Sequence, residues 1–302
     1  MTSAVKPLAA GWRFLLGALA AAVGLIPWLI TGMRLPLQNL WATQTLDMPI
    51  ALLPFSQYEL TTIAAMLVVG SAVAGLLVRT MRGWMPRADA LIVGVATVQL
   101  VALAQTSFVV RAGLQRGTEA TLYFAAVFTW SALSFVVGLV ALWLIVRGPR
   151  AGAVIGFTLG AVAVGPWLRA LIIPFGTITP SPLQLWAAGA VGWVAAVLVG
   201  AAIAWCGLAT RGRIAAAIGS LLILALVPIA VEAVAGAAGM RVYAHDPVRL
   251  VEVARLIFST ELGTPALSVQ PVLLAVAVAA VGLVARRSAQ GISPADPRGA
   301  AS

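Results

Sequence analysis

Arg150-Ala151-Gly152-Ala153-Val154-Ile155-Gly156-Phe157-Thr158-Leu159-Gly160-Ala161-Val162-Ala163-Val164-Gly165-Pro166-Trp167-Leu168-Arg169 is the stretch on which the fold turns. No charge stands between its two arginines. At 1.5 Å per helical residue, such a run covers most of a hydrocarbon core about 30 Å thick. Lipid offers no partners to backbone polar groups, so the run must be helical. Nothing here alternates as barrel strands do.

Outward from this span, the same character recurs. Eight spans are expected at 11–33, 59–80, 89–111, 119–146, 151–173, 184–208, 214–238 and 268–285, forming a single polytopic domain over 1–287. The fold class is therefore an all-α integral membrane protein of eight transmembrane helices arranged as four helical hairpins. The residues from 288 to 302 are polar, carry Pro294 and Pro297, and read as a disordered cytoplasmic tail. The first apolar run, Phe14 to about Ile30, is longer than a signal-peptide core of roughly 7–15 residues, so it reads as a retained helix.

Charge sets the orientation. With the first helix entering from the cytoplasm, that side holds Lys6, Arg13, Arg79, Arg82, Arg87, Arg147, Arg150, Arg211, Arg213, Arg286, Arg287 and Arg298 against Asp89 and Asp296. The other side holds Arg34, Arg111, Arg116, Arg169, Arg241, Arg249 and Arg255, matched one for one by acids. The whole net charge of +10 thus falls on one side, and Lys/Arg excess in short loops marks the cytoplasm. Both termini are expected there. The single lysine among 19 cations and the abundance of alanine suggest a GC-rich bacterial genome and a plasma-membrane location.

Composition excludes several function classes. Hydrophobic residues make up 62% and charged residues 9%, against about a quarter charged in soluble domains. The cations stand in ones and twos at span ends without interleaved aromatics, which argues against nucleic acid. Their expected partner is the anionic leaflet, with a membrane-protein partner or a homo-oligomer beside it. One cysteine, Cys206, excludes an internal disulfide, and one histidine, His245, excludes a bis-histidine haem. No phosphate-cradling glycine loop, His-Glu-x-x-His or paired acidic motif is present. A catalytic site would have to be assembled from Asp47, His245, Asp246 and Glu261, for which nothing argues; no cofactor is expected.

An internal repeat emerges in the odd helices. Proline follows the entry arginine by 14 to 16 residues, from Arg13 to Pro27, Arg150 to Pro166 and Arg213 to Pro228. Pro27-Trp28-Leu29 and Pro166-Trp167-Leu168 match, with Gly17 and Gly156 ten residues before each proline and Gly219 nine before the third. Arg34, Arg111, Arg169 and Arg241 close the odd helices at the outer side.

These residues supply the functional candidates. The four outer arginines form a prospective anion-binding ring, since a guanidinium fork suits phosphate or carboxylate. Pro27, Pro166 and Pro228 are prospective kinks that free a carbonyl one turn back. Glu232 is the acid deepest in a span; the favoured reading is an ion pair with Arg169 or Arg241, the alternative a proton- or cation-coupling role. Gln99, Gln105, Thr106 and Ser107 make the third helix polar, as a path lining or as glue between helices.

Two outer segments carry structure of their own. Asp246-Pro247 reads as an N-cap and first residue. Behind them Arg249, Glu252, Arg255 and Ser259 take one face of an amphipathic helix, and Leu250, Val251, Ala254, Ile257 and Phe258 the other. Arg34 to Tyr58 is too apolar for a free loop and is expected on or dipping into the outer leaflet.

The expectation is a transport-like role for a lipid or an anionic solute. The alternative is a non-catalytic accessory or scaffold subunit of a larger envelope or respiratory complex.

Overall fold

The computed structural model describes residues 7–36, 40–43, 47–85, 87–240, 242 and 246–291. Arg241 and His245 therefore lie outside the described residues, as do Lys6 and the chain from 292.

The helices are α1 (Ala10–Leu29), α2 (Leu60–Thr80), α3 (Asp89–Gly113), α4 (Thr118–Arg147), α5 (Arg150–Ile172), α6 (Pro182–Ala190), α7 (Val194–Cys206), α8 (Arg211–Gly239), α9 (Pro247–Leu262), α10 (Pro265–Ser268) and α11 (Gln270–Gly291). Eight segments are long and apolar enough to cross a membrane: α1 to α5, Pro182–Cys206, α8 and Pro265–Ser288. Among the described residues no β-strand forms beyond two isolated bridges, Arg34 with Ile50 and Trp41 with Leu114.

Local chemistry moves several boundaries. The first helix stops at Leu29 rather than at 33, because Gly32 and Met33 take positive φ values of 85° and 58°. The span expected over 184–208 begins earlier and is broken. Ser181 and Gln184 form a capping box ahead of Pro182, and a 3₁₀ turn at Val191–Trp193 separates α6 from α7. The expected tail is helical as far as Gly291.

α2 is the most enclosed span; it packs on α1, α4 and α5, and α5 in turn packs on α4, α7 and α8. α3 lies against α1, and α11 against α7. Consecutive spans α1–α2 and α5–α7 are close neighbours, whereas α3–α4 and α8–α11 make slight contact. The order recurs in both halves: first span on second and third, second on fourth.

Small residues permit these approaches. A methyl at Gly17 would run into the Leu91 carbonyl of α3, and one at Gly156 into the Ala141 carbonyl of α4.

One end of the bundle collects the arginines. Arg79 donates to the carbonyl of Ile145 at 2.5 Å and lies 4.8 Å over the Trp205 ring. Arg286 donates to the carbonyls of Ala204 and Trp205 at 2.5 and 2.6 Å. Both satisfy carbonyls that helix ends leave without partners.

The opposite end is filled by the loop between α1 and α2. Ala51, Leu53 and Phe55 are fully buried within one cluster with Leu25, Trp28, Met66 and Val110. This loop dips into the protein rather than into lipid. Its backbone would be costly at such depth without partners. Gln105 supplies them by accepting from the Leu52 N–H at 2.9 Å and donating to the Ile50 carbonyl at 3.0 Å. Thr106 accepts from the Leu53 N–H at 2.9 Å, and the Trp28 indole donates to the Ala51 carbonyl at 2.7 Å.

Candidate functional site

At the loop end, Trp28, Thr31, Arg34, Pro36, Glu59, Phe175 and Gly176 enclose a cleft of about 180 Å³. α1 delivers Trp28, which meets Phe175 edge to face with ring centres 4.8 Å apart. Phe175 follows α5 and is turned by Gly176, whose φ is 85°. The cleft thus joins the ends of two proline-containing helices, α1 with Pro27 and α5 with Pro166. The second tryptophan of the repeated motif reinforces this: Trp167 donates its indole N–H to the Gly24 carbonyl at 2.8 Å.

Two charged groups face this aromatic corner. Arg34 pairs with Asp47 at 3.3 Å and donates to the Met48 carbonyl at 3.4 Å. Both members of that pair are well exposed, at 57% and 81% of the side chain, so the bond contributes little and leaves the guanidinium free to exchange partners. Glu59 precedes α2 and accepts from the Thr62 hydroxyl at 3.1 Å. Burial pushes its carboxyl pKa up, opposed by the Thr62 bond.

Of the other outer arginines, Arg111 and Arg169 do not join this cleft, and Arg241 lies outside the described residues. Arg111 and Arg169 stay exposed at the ends of α3 and α5.

Glu232 is exposed on α8 and accepts from the Thr61 hydroxyl of α2 at 3.4 Å. Among the described residues it has no cationic partner: of the two expected, Arg169 forms no bond to it and Arg241 lies outside the described residues. Its charged neighbour is a second carboxylate, Glu261 of α9. Burial raises the Glu261 pKa, and the negative charge of Glu232 raises it further. α9 forms as its sequence suggests. Asp246 caps the N–H groups of Val248 and Arg249, both at 3.1 Å, and the helix packs on α8, bringing Ile257 to Gly236.

Gln99 is buried and donates to the Leu67 carbonyl at 2.8 Å and to the Ser71 hydroxyl at 3.2 Å. Gln99 thus bridges α3 to α2, and Gln105 bridges α3 to the buried loop. Pro228, the third proline, sits inside α8 and lines neither cleft.

Two features went unread in the sequence. Glu59 had a signal, an acid just ahead of Thr61-Thr62 and an apolar run, but nothing local showed that Trp28 and Phe175 converge on it. The arginine-rich end holds a larger cleft of about 380 Å³, edged by Arg82, Arg87 and Arg147, whose arginines served only to orient the chain. Among the described residues no group of three His, Cys, Asp or Glu side chains is placed to hold a metal. No family model, curated protein or solved structure matches the chain.

Proposed function

We propose a transport-like role for a lipid or an anionic solute, with the cleft at the loop end as its recognition site. The observation that carries this reading is the placement of Arg34 and Glu59 against the Trp28–Phe175 corner, where two proline-containing spans end. Arg34 exchanges Asp47 for the anion, and the aromatic edge receives its apolar part. The proline-containing helices α1 and α5 supply the walls of the path.

The charge distribution supports a cytoplasmic arginine-rich end with both termini inside, in a bacterial plasma membrane. The shared packing order of α1–α4 and α5–α11 supports an internal duplication whose unit is four spans, each made of two consecutive hairpins.

Vesicles containing the purified chain and labelled phosphatidylglycerol test the reading. Transbilayer movement is expected above that of empty vesicles. Arg34→Gln should slow it about tenfold or more, the effect of losing a hydrogen bond to a charged group. Rates equal to empty vesicles, for this lipid and for a panel of organic anions, would overturn it.

One observation favours the accessory-subunit reading. α8 and the last span are the least enclosed, with 22% and 17% of their apolar windows buried. A stoichiometric second polypeptide in native mass spectrometry, lost when bulky residues are placed on those faces, would support it.

A further inference from the structure

The cleft at the arginine-rich end plays no part in the role proposed above and lies at the other end of the bundle. Its floor is apolar, built from Val78, Met85, Ala88 and Val146. Its rim carries Arg82, Arg87 and Arg147 against a single carboxylate, Asp89. Arg147 pairs with Asp89 at 2.5 Å, both largely exposed, so the rim keeps a net positive charge from Arg82 and Arg87.

The remaining two guanidinium groups are largely unspent. Arg82 reaches the Val146 carbonyl only at 3.4 Å. Arg87 accepts a bond through its backbone, from Arg13 at 2.6 Å, while its side chain bonds no described residue. The carbonyls at the end of α4 would repel an anion, but Arg79 covers those of Ile145 and Gly148.

We propose that this cleft binds a phosphate-bearing anion, held by the Arg82 and Arg87 forks over the apolar floor. Two forks suit a phosphate group, whose several oxygens can each accept from a guanidinium at once. A space of about 380 Å³ exceeds a bare ion and falls within the range of organic ligand sites. Depth narrows the source. Trp12 and Trp84, 64% and 48% exposed, stand at this end, and exposed tryptophans mark the headgroup level of a bilayer. The anion is the headgroup of an anionic phospholipid or a soluble organic phosphate of the same chemistry.

The full chain in detergent, titrated with phosphatidylglycerol or phosphatidylcholine and read by native mass spectrometry, tests the site. Phosphatidylglycerol should bind preferentially. Each arginine removed should weaken it roughly fivefold, the effect of one juxtamembrane charge, in Arg87→Gln and in Arg82→Gln/Arg87→Gln. Arg116→Gln, exposed at the opposite end, should leave binding unchanged. Competition by glycerol 3-phosphate assigns the site to soluble phosphates, and its failure to compete assigns it to lipid; both outcomes support the site. Equal binding of phosphatidylcholine, or wild-type affinity in the variants, would overturn it. If the double variant unfolds, Arg87→Gln alone decides, because its guanidinium bonds no described residue.

Discussion

Two glutamines a turn and a half apart on α3 do different work. Gln99 adds a bond to helical backbone that is already paired. Interhelical bonds of this kind are worth only about 0.6 kcal/mol on average. Gln105 completes irregular backbone, and its loss strands the half-buried Leu52 N–H, at about 1–3 kcal/mol for a group left unpaired away from water, while the exposed Ile50 carbonyl can turn to another partner. Gln105→Leu should therefore lower the thermal midpoint in detergent several times more than Gln99→Leu. Glu59 adds a pH dependence with a definite sign. Its folded-state pKa is raised by burial, so its stabilising contribution is complete below the ordinary value of 4.5 and is lost as pH climbs through the raised value. Stability measured against pH should rise on acidification from neutrality. Glu59→Gln should flatten that rise, and what remains belongs in part to Glu261, raised in the same direction.

At the scale of elements, similar motifs meet dissimilar neighbours. Gly17 abuts the Leu91 carbonyl, a rigid backbone atom, whereas a methyl at Gly219 would meet only the flexible Ile155 Cδ1 at 3.3 Å. Gly17→Ala should cost about 1–3 kcal/mol, the usual penalty of overpacking, while Gly219→Ala should be close to neutral in a thermal-shift assay. Arg286 offers a parallel case at a helix end. Its two short bonds to the last carbonyls of α7 predict that Arg286→Gln frays that end, seen as faster amide exchange near Cys206 with the rest of the bundle unchanged.

For the whole molecule, sidedness is the expectation most exposed to test. A reporter active only outside the cytoplasm should be silent when fused after Gly83 or Gly148 and active after Gly117. Activity at the first two sites would reverse the orientation drawn from the arginines. Much of the architecture was legible from apolar length alone, because a span needs about 20 helical residues whatever its neighbours are, and all eight are present. The α9 cap was equally legible, since Asp246, Pro247 and the N–H groups they serve are adjacent in the chain. The early start of the sixth span rests on a local capping box, Ser181 with Gln184, whereas two features depended on partners distant in sequence. The loop from Ala51 to Phe55 takes backbone partners from Gln105 and Thr106, more than fifty residues away. Arg34 was grouped with Arg111 and Arg169 at the outer helix ends, yet of these three it alone lines a cleft. Apolar length, helical periodicity and charge bias act locally or through the membrane, so the sequence by itself determined the spans, the amphipathic α9 and the net-positive and net-neutral ends. Which helices touch, where the loop backbone finds its hydrogen bonds, and which charges face a shared cavity depend on packing between distant segments, and only the tertiary structure decided them.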